Sequence, residues 1–517
     1  MGAALEQVRY RRYQELIYEH GKILSASKLL QRAAQKFESN KALIFKQSSI
    51  SYQELYTRAC QFSRVVTASS VKPRDRVLLM IDNSIEFYVA YFGIWQTGAV
   101  IAPLNIFLKD TELAHIVNDA EPTLVVTTPD RIALFRALGV QNIITTQTID
   151  LSVPPDQASS DYPLVTLDPD EMVALLYTSG TTGFPKGVML SSKNIMTNIL
   201  QGGSRIPLDF GQRVFGVLPL FHSFAQFACV WASMLTGCTV ILVPKIDRRA
   251  ILEGLKHKPT VFLGVPALYG LLCLLKTAPL ESVAYFISGG DVLPDKIRMG
   301  FELIYRRKLC NGYGLTETAP VLSVDLDDEL RPTSCVGKPL IGVSCSIRDE
   351  AGRELPVGAI GILWVKGDNV MLGYYRAPEK TAEVLKDGWF NTGDFAKIDA
   401  SGNIIICGRD KDLIIHKGIN IYPPEIENII MMHASVLAVG VIGVDDDDAG
   451  QIPIAYVQVR APHKELEAEL RALCNQHLAN YKIPRRFVIM QELPLTATGK
   501  VDKKVLRAQE HGATKAQ

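Results

Sequence analysis

Between Tyr177 and Gly187 the chain reads Tyr-Thr-Ser-Gly-Thr-Thr-Gly-Phe-Pro-Lys-Gly. Thr178, Ser179, Thr181 and Thr182 supply hydroxyls, Gly180, Gly183 and Gly187 supply bare backbone, and Lys186 supplies one ammonium. Those are the groups a polyphosphate needs, because glycine lets successive N–H groups converge on one anion. Apolar runs enter the loop at residues 172–176 and leave it at 188–190. A flexible surface loop would need neither the lysine nor those strand-like flanks. The spacing is not the common phosphate loop, G-x-x-x-x-G-K-[ST]. Counted from Gly180, the second glycine falls at Pro185, and Gly187 follows the lysine where a hydroxyl is required. A G-x-G-x-x-G dinucleotide turn does not fit either. The loop implies ATP held by a different fold.

Other segments carry matching chemistry. Asn311-Gly312-Tyr313-Gly314-Leu315-Thr316-Glu317-Thr318 offers a ring to stack on a base, hydroxyls for phosphate and a carboxylate for a hard cation. Thr392-Gly393-Asp394 places a carboxylate where ribose hydroxyls can be met, and Arg409 follows. Near the end, Lys500 follows Gly499 on a short loop. Alone, each segment also reads as an ordinary turn with an exposed charge.

These residues need a framework, and 517 residues are too many for one core, so several domains are expected. Hydrophobic residues make up 47% and charged residues 21%, as in globular proteins. A formal charge of +1 gives no global field to recruit nucleic acid or an anionic membrane. The start Met1-Gly2-Ala3-Ala4-Leu5-Glu6 reads as neither a signal peptide nor a myristoylation site. Nine scattered cysteines without C-x-x-C suggest reduced thiols, hence a cytoplasmic protein without structural zinc. The nearly uncharged stretch 224–243 has the length of a membrane span. Thr236-Gly237-Cys238-Thr239 interrupts it, so it reads as helix, glycine stop and buried strand.

Strand-like runs at 77–81, 100–104, 124–127 and 214–218 alternate with helical stretches such as 86–97. That alternation implies an α/β fold with parallel sheets covered on both faces. After about residue 331, short strands broken by turn signals imply a small antiparallel β unit to 409. Residues 1–409 are thus expected as a large domain of two α/β subdomains plus the β unit. Residues 410–517 are expected as a small α+β domain. There a helix at 464–478 would bury Leu466, Leu470 and Leu473, and the last dozen residues would fray. The run Asp445-Asp446-Asp447-Asp448 reads as a solvated turn rather than a metal site.

Taken in order, the motifs resemble the adenylate-forming superfamily of acyl-CoA synthetases, luciferases and peptide-synthetase adenylation domains. The resemblance runs from about Leu29 to Lys504. It implies a two-step reaction. A carboxylate attacks the α-phosphate of Mg-ATP to give acyl-AMP and pyrophosphate; a thiol, usually coenzyme A, then displaces AMP. It also implies roles. Thr178, Ser179, Gly180, Thr181, Thr182 and Lys186 would hold the β- and γ-phosphates. Gly289, Gly290, Asp291, Asn311, Gly312 and Tyr313 would frame adenine; Asp394 and Arg409 would hold ribose. Thr316 would contact the α-phosphate and Glu317 would bind Mg2+. Lys500 would bridge the carboxylate and the α-phosphate. Lys411 would be the hinge about which a mobile small domain turns between half-reactions, bringing the loop around Gly418 to the thiol path.

The acid is less clearly written. Leu218-Pro219-Leu220-Phe221-His222-Ser223-Phe224 resembles the family segment bordering the acyl pocket, with His222 beside the acid and thiol paths. No aspartate follows Phe221 to pair with a substrate ammonium, which disfavours amino acids. Phe221, Phe224, Phe227, Val265, Ala267 and Ile287 are apolar, so a medium- or long-chain fatty acid is expected and an aryl acid is second. Some long-chain members carry a gate tryptophan four residues after the histidine, where this chain has Gln226. Gly450-Gln451 replaces the Gly-Glu common in CoA ligases. An acyl carrier protein stands as the alternative acceptor, and peripheral contact with a membrane stays open.

Overall fold

The structure, a computed structural model, describes residues 3–149, 161–178, 185–327, 329, 331–417, 419–446, 448–496 and 500–514. Two large sheets dominate. One has seven strands, in the spatial order Gly373–Tyr374, Lys186–Ser191, Met172–Thr178, Val100–Pro103, Arg76–Met80, Leu124–Thr127, Ile143–Thr145. The other has eight, from Val321–Asp325 through Leu309–Gly314, Tyr285–Ser288, Val261–Gly264, Arg213–Gly216, Thr239–Leu242 and Lys41–Phe45 to Ser48–Ser51. In the eight-stranded sheet the interior pairs are parallel and both edge pairs antiparallel; in the seven-stranded sheet the two pairs made by Lys186–Ser191 are antiparallel and the others parallel.

The apolar alternation explains why these strands are interior. Val77 and Leu79 join the main core, while Leu78 and Met80 join a second cluster on the opposite face. Both faces are therefore covered, as a parallel sheet requires. The helix Ile85–Gln96, started by Ser84 Oγ accepting from Phe87 N at 3.2 Å, is buried all round. A helix that is apolar on every side belongs inside a large core.

The stretch 224–243 does not cross anything. Short helices Ser223–Ala225 and Ala232–Thr236 flank a π-helical turn, Gln226–Trp231, and Gly237 stops the run at φ +81°. Strand Thr239–Leu242 follows. Among the described residues no helix is long and apolar enough to span a membrane.

Residues 335–409 form a six-stranded antiparallel sheet. That unit is less self-contained than the turn signals suggest. Gly373–Tyr374 leaves it and pairs with Lys186–Ser191 of the seven-stranded sheet.

Beyond it, strands and helices from Ile414 onward enclose a separate apolar core, Ile414 to Phe487. Helix Leu466–His477 buries Leu466, Leu470 and Cys474, whereas Leu473 is only part-buried. The expected fraying of the last dozen residues is corrected as far as residue 514: helix Lys503–Thr514, anchored by fully buried Leu506, takes them up to there, and the last three lie outside the described residues. In the acidic turn, Asp446 Oδ1 accepts from the N–H groups of Asp448 and Ala449 at 3.1 and 2.9 Å. Asp447 lies outside the described residues. All nine cysteines are free thiols.

Candidate active site

The site residues gather where parallel strands end, the usual place for ligands in such sheets. Thr178 closes strand Met172–Thr178 and pairs across the hairpin with Lys186. Ser179, Gly180, Thr181 and Thr182 of the expected phosphate loop lie outside the described residues, as does Gly418. What the structure does place is the loop's lysine. Lys186 Nζ sits over the Tyr374 ring, 5.0 Å from its centre, a cation–π contact. Tyr374 donates its hydroxyl to Glu317 Oε1 at 2.9 Å. Desolvation raises the Glu317 pKa; its own backbone N–H, Tyr374, Arg409 and Lys186 pull the other way without cancelling it. One aromatic side chain thus ties the lysine of one segment to the carboxylate of another.

A second group forms around Asp394. Strand Trp389–Ile398 carries it, and Arg409 lies opposite on strand Ile404–Arg409. Arg409 Nε is 3.6 Å from Asp394 Oδ1, and Tyr313 donates its hydroxyl to Asp394 Oδ2 at 2.5 Å. Desolvation wins at Asp394 and raises its pKa despite Arg409, Tyr313, Lys500 and Lys411. Burial opposes the charge of Arg409, but Asp394, Asp291 and Asp412 outweigh it. Its side chain is 49% exposed.

The residues expected to frame adenine lie together on neighbouring segments. Gly289 and Gly290 follow strand Tyr285–Ser288, and Asn311-Gly312-Tyr313 lies on the adjacent strand. Gly290 has φ +82°, which a side chain resists. A Cβ on Gly289 would stand 3.3 Å from the Phe224 ring. Asn311 Nδ2 donates to Thr333 O at 2.6 Å, which ties this strand to the loop leading into the β unit.

Lys500 arrives from the small unit. Desolvation and Arg409 lower its pKa, while Asp291 and Asp394 hold it up. It also acts on His222: burial first, then the Lys500 charge, depress that imidazole to about 4. His222 Nδ1 accepts from Phe224 N at 3.3 Å as the cap of helix Ser223–Ala225. The ring is therefore neutral near pH 7 with its proton on Nε2. Thr316 Oγ1 lies 3.0 Å from Ser223 Oγ. Lys411 lies in the turn Asp410–Asp412, where desolvation and Arg409 lower its pKa. The apolar set divides: Phe227 and Ile287 sit in the core, Phe221, Phe224 and Val265 are part-buried, and Ala267 is exposed. Gln226 is fully buried and donates through Nε2 to Leu220 O.

Tyr374 and Ser223 escaped sequence reasoning. Ser223 is adjacent to His222 and proximity to that motif is its only signal. Nothing near Tyr374 marks it, because its role depends on a pairing with residues 188–189.

A hard cation fits this chemistry. Among the described residues no three His, Cys, Asp or Glu side chains converge. Mg2+, however, is often held by one carboxylate, with water and substrate phosphates filling its other positions. Glu317 offers one carboxylate here, linked through Tyr374 to Lys186.

Known proteins share this fold. The AMP-binding enzyme family matches residues 30–375, and the AMP-binding enzyme C-terminal domain matches residues 425–500. A long-chain-fatty-acid–CoA ligase of Bacillus subtilis (strain 168) is 31% identical, covering 93% of this chain and 94% of its own. A feruloyl-CoA synthase of Amycolatopsis sp is 33% identical, covering 89% and 94%. The crystal structure of ATP-bound MatB from Rhodopseudomonas palustris superposes with a TM-score of 0.86 at 32% identity, covering 94% of this chain and 99% of that one.

Proposed function

The chain belongs to the AMP-binding enzyme family and is an AMP-forming acyl-CoA synthetase; we propose that the acid it activates is a medium- or long-chain fatty acid. The reaction uses ATP, Mg2+ and coenzyme A and passes through an acyl-adenylate. One observation carries the substrate reading. From Leu218 to Val243 the chain holds no Asp, Glu, Lys or Arg, and the single histidine there, His222, is neutral. An acid with a second charge would meet no counter-charge on this segment, and an unpaired buried charge is costly. The fatty-acid ligase from Bacillus subtilis agrees with this reading. The feruloyl-CoA synthase favours an aryl acid as the second reading. Transfer to a carrier protein is the alternative to coenzyme A.

The residue roles belong to the same proposal. A carboxylate carbon is a poor electrophile because delocalised charge shields it, and joining one oxygen to AMP turns that oxygen into a leaving group. Lys186 and the hydroxyls from Thr178 onward would hold the departing pyrophosphate. Mg2+, when bound, neutralises phosphate charge, and Glu317 would hold it while Tyr374 orients that carboxylate. Asp394 would accept from the ribose hydroxyls, with Arg409 beside it and the adenine framed by Gly289, Gly290, Asp291, Asn311, Gly312 and Tyr313. Thr316 would donate to the α-phosphate. Lys500 would stabilise the charge shifting between carboxylate and α-phosphate, a contribution of about 3–4 kcal/mol for one such donor. His222, fixed with Nε2–H outward, would donate without titrating.

The domain division falls at 409/410. Lys411 would then be the hinge that removes Lys500 and brings Gly418 to the thiol path; a single junction residue can absorb such a change. A cytoplasmic setting is consistent with nine free cysteines. A pyrophosphate-release screen across fatty, aryl and amino acids tests the substrate, with the acyl-CoA product identified by mass. Fastest turnover with fatty acids of medium or long chain supports the proposal. Preference for an aryl or amino acid overturns it.

A further inference from the structure

The small unit meets the large one along the segment that follows the adenine frame. Asp291 supports the charge of Lys500. Farther along the same segment, Lys296 stands in the first turn of helix Asp295–Tyr305. Its Nζ crosses between the units and donates to His433 O at 2.9 Å and to Val436 O at 2.8 Å. Those carbonyls bracket a tight turn, in which Val436 N donates to His433 O at 3.1 Å. The turn joins helix Pro423–Met431 to strand Val436–Asp446.

Two features make this a built contact. The carbonyls lie just past the end of helix Pro423–Met431, where the helix dipole favours a cation. The ammonium is also held there against opposition, since burial and Arg460 both push its pKa down. The Tyr422–Phe395 contact is of another kind. Tyr422 packs edge-on against Phe395 at 5.5 Å, but it sits beside the junction and would tolerate rotation about it.

We propose that Lys296 is a latch: a positioning residue that clamps the small domain in the orientation presenting Lys500 for adenylation, and that releases His433 and Val436 when the domain turns. The proposal rests on the two-step ligase reading above. It makes Lys296 important in one half-reaction and dispensable in the other, which a purely structural lysine would not be.

The test separates the half-reactions. ATP–pyrophosphate exchange is measured with the acid that performs best in the screen. Thioester formation is measured from supplied acyl-AMP and coenzyme A. In Lys296→Met, exchange falls about tenfold, as expected for losing charge-assisted hydrogen bonds, while thioester formation is unchanged or faster. Lys296→Arg recovers most of the exchange rate. Equal loss in both half-reactions, or undiminished exchange, overturns the latch. If Met disturbs folding, Lys296→Gln gives the same readout. Failure of the unaltered protein to form acyl-CoA counts against the ligase reading instead. Exchange in the variant then still decides the latch, and an undiminished rate overturns it.

Discussion

Tyr313 and Asp394, eighty-one residues apart in sequence, are joined by a hydrogen bond of 2.5 Å from phenol to carboxylate. The two residues had separate expected roles, one at the base and one at the ribose. The bond makes them one device: the ring expected to face adenine also orients the carboxylate that would take the sugar. Removing the hydroxyl in Tyr313→Phe keeps the ring and loosens the carboxylate. The Michaelis constant for ATP is expected to rise about 3–10-fold with kcat little changed, the size of one charge-assisted hydrogen bond. Asp394→Asn should cost more. Steady-state kinetics with varied ATP checks this, and an unaltered Michaelis constant in both variants would remove the pair from the nucleotide site.

Glu317 depends on Tyr374 in the same way. Desolvation already raises the Glu317 pKa, and Tyr374 is one of the groups opposing that rise. Tyr374→Phe should therefore weaken metal binding, with the Mg2+ concentration for half-maximal adenylation rising about tenfold. Glu317→Gln should exceed it. The measurement is a Mg2+ titration at fixed ATP. Half-saturation that does not move in Tyr374→Phe would mean the tyrosine plays no part in the metal site.

His222 predicts a pH effect whose sign can be worked out. Its folded pKa is about 4 against 6.5 for an ordinary histidine, so the unfolded chain binds the proton first as pH falls. The contribution is fully present above 6.5 and is lost as pH drops through about 4. The raised pKa values of Glu317 and Asp394 act in the opposite sense, so the readout is the difference from His222→Gln. Denaturant titrations should show the parent losing about 1–3 kcal/mol relative to the variant across that window. Parallel pH curves would show that His222 is not held neutral.

Much of this architecture was legible in the residues. The run at 124–127 is the strand Leu124–Thr127, and the helix read at 86–97 is Ile85–Gln96. Apolar content and helix or strand periodicity are local properties, so they survive in a sequence. Gly237 stopped its helix as read because a positive φ is a local demand. The misses are non-local. Tyr374 lies in a stretch that reads as part of the β unit but pairs with another sheet. Lys296 reads as an ordinary surface lysine, since its partners are main-chain carbonyls about 140 positions away. The polar C-terminal stretch looked frayed because one buried leucine, Leu506, gives too little periodicity to mark a docked helix. In the site, residue types announced ATP chemistry, but which group restrains which emerged only from tertiary contacts.

On the proposed mechanism, a lysine on the small domain serves the first half-reaction and not the second. Lys500 lies among Asp291, Asp394, Arg409 and His222 with its pKa below the ordinary 10.5. In the unaltered enzyme, the adenylation rate should therefore fall on the alkaline side before an ordinary lysine would titrate. The decisive measurement is Lys500→Ala with the half-reactions assayed apart. Acyl-AMP formation is expected to drop about 10²–10³-fold, the cost of removing one transition-state donor, while thioester formation from supplied acyl-AMP is preserved. Equal loss in both half-reactions would contradict it.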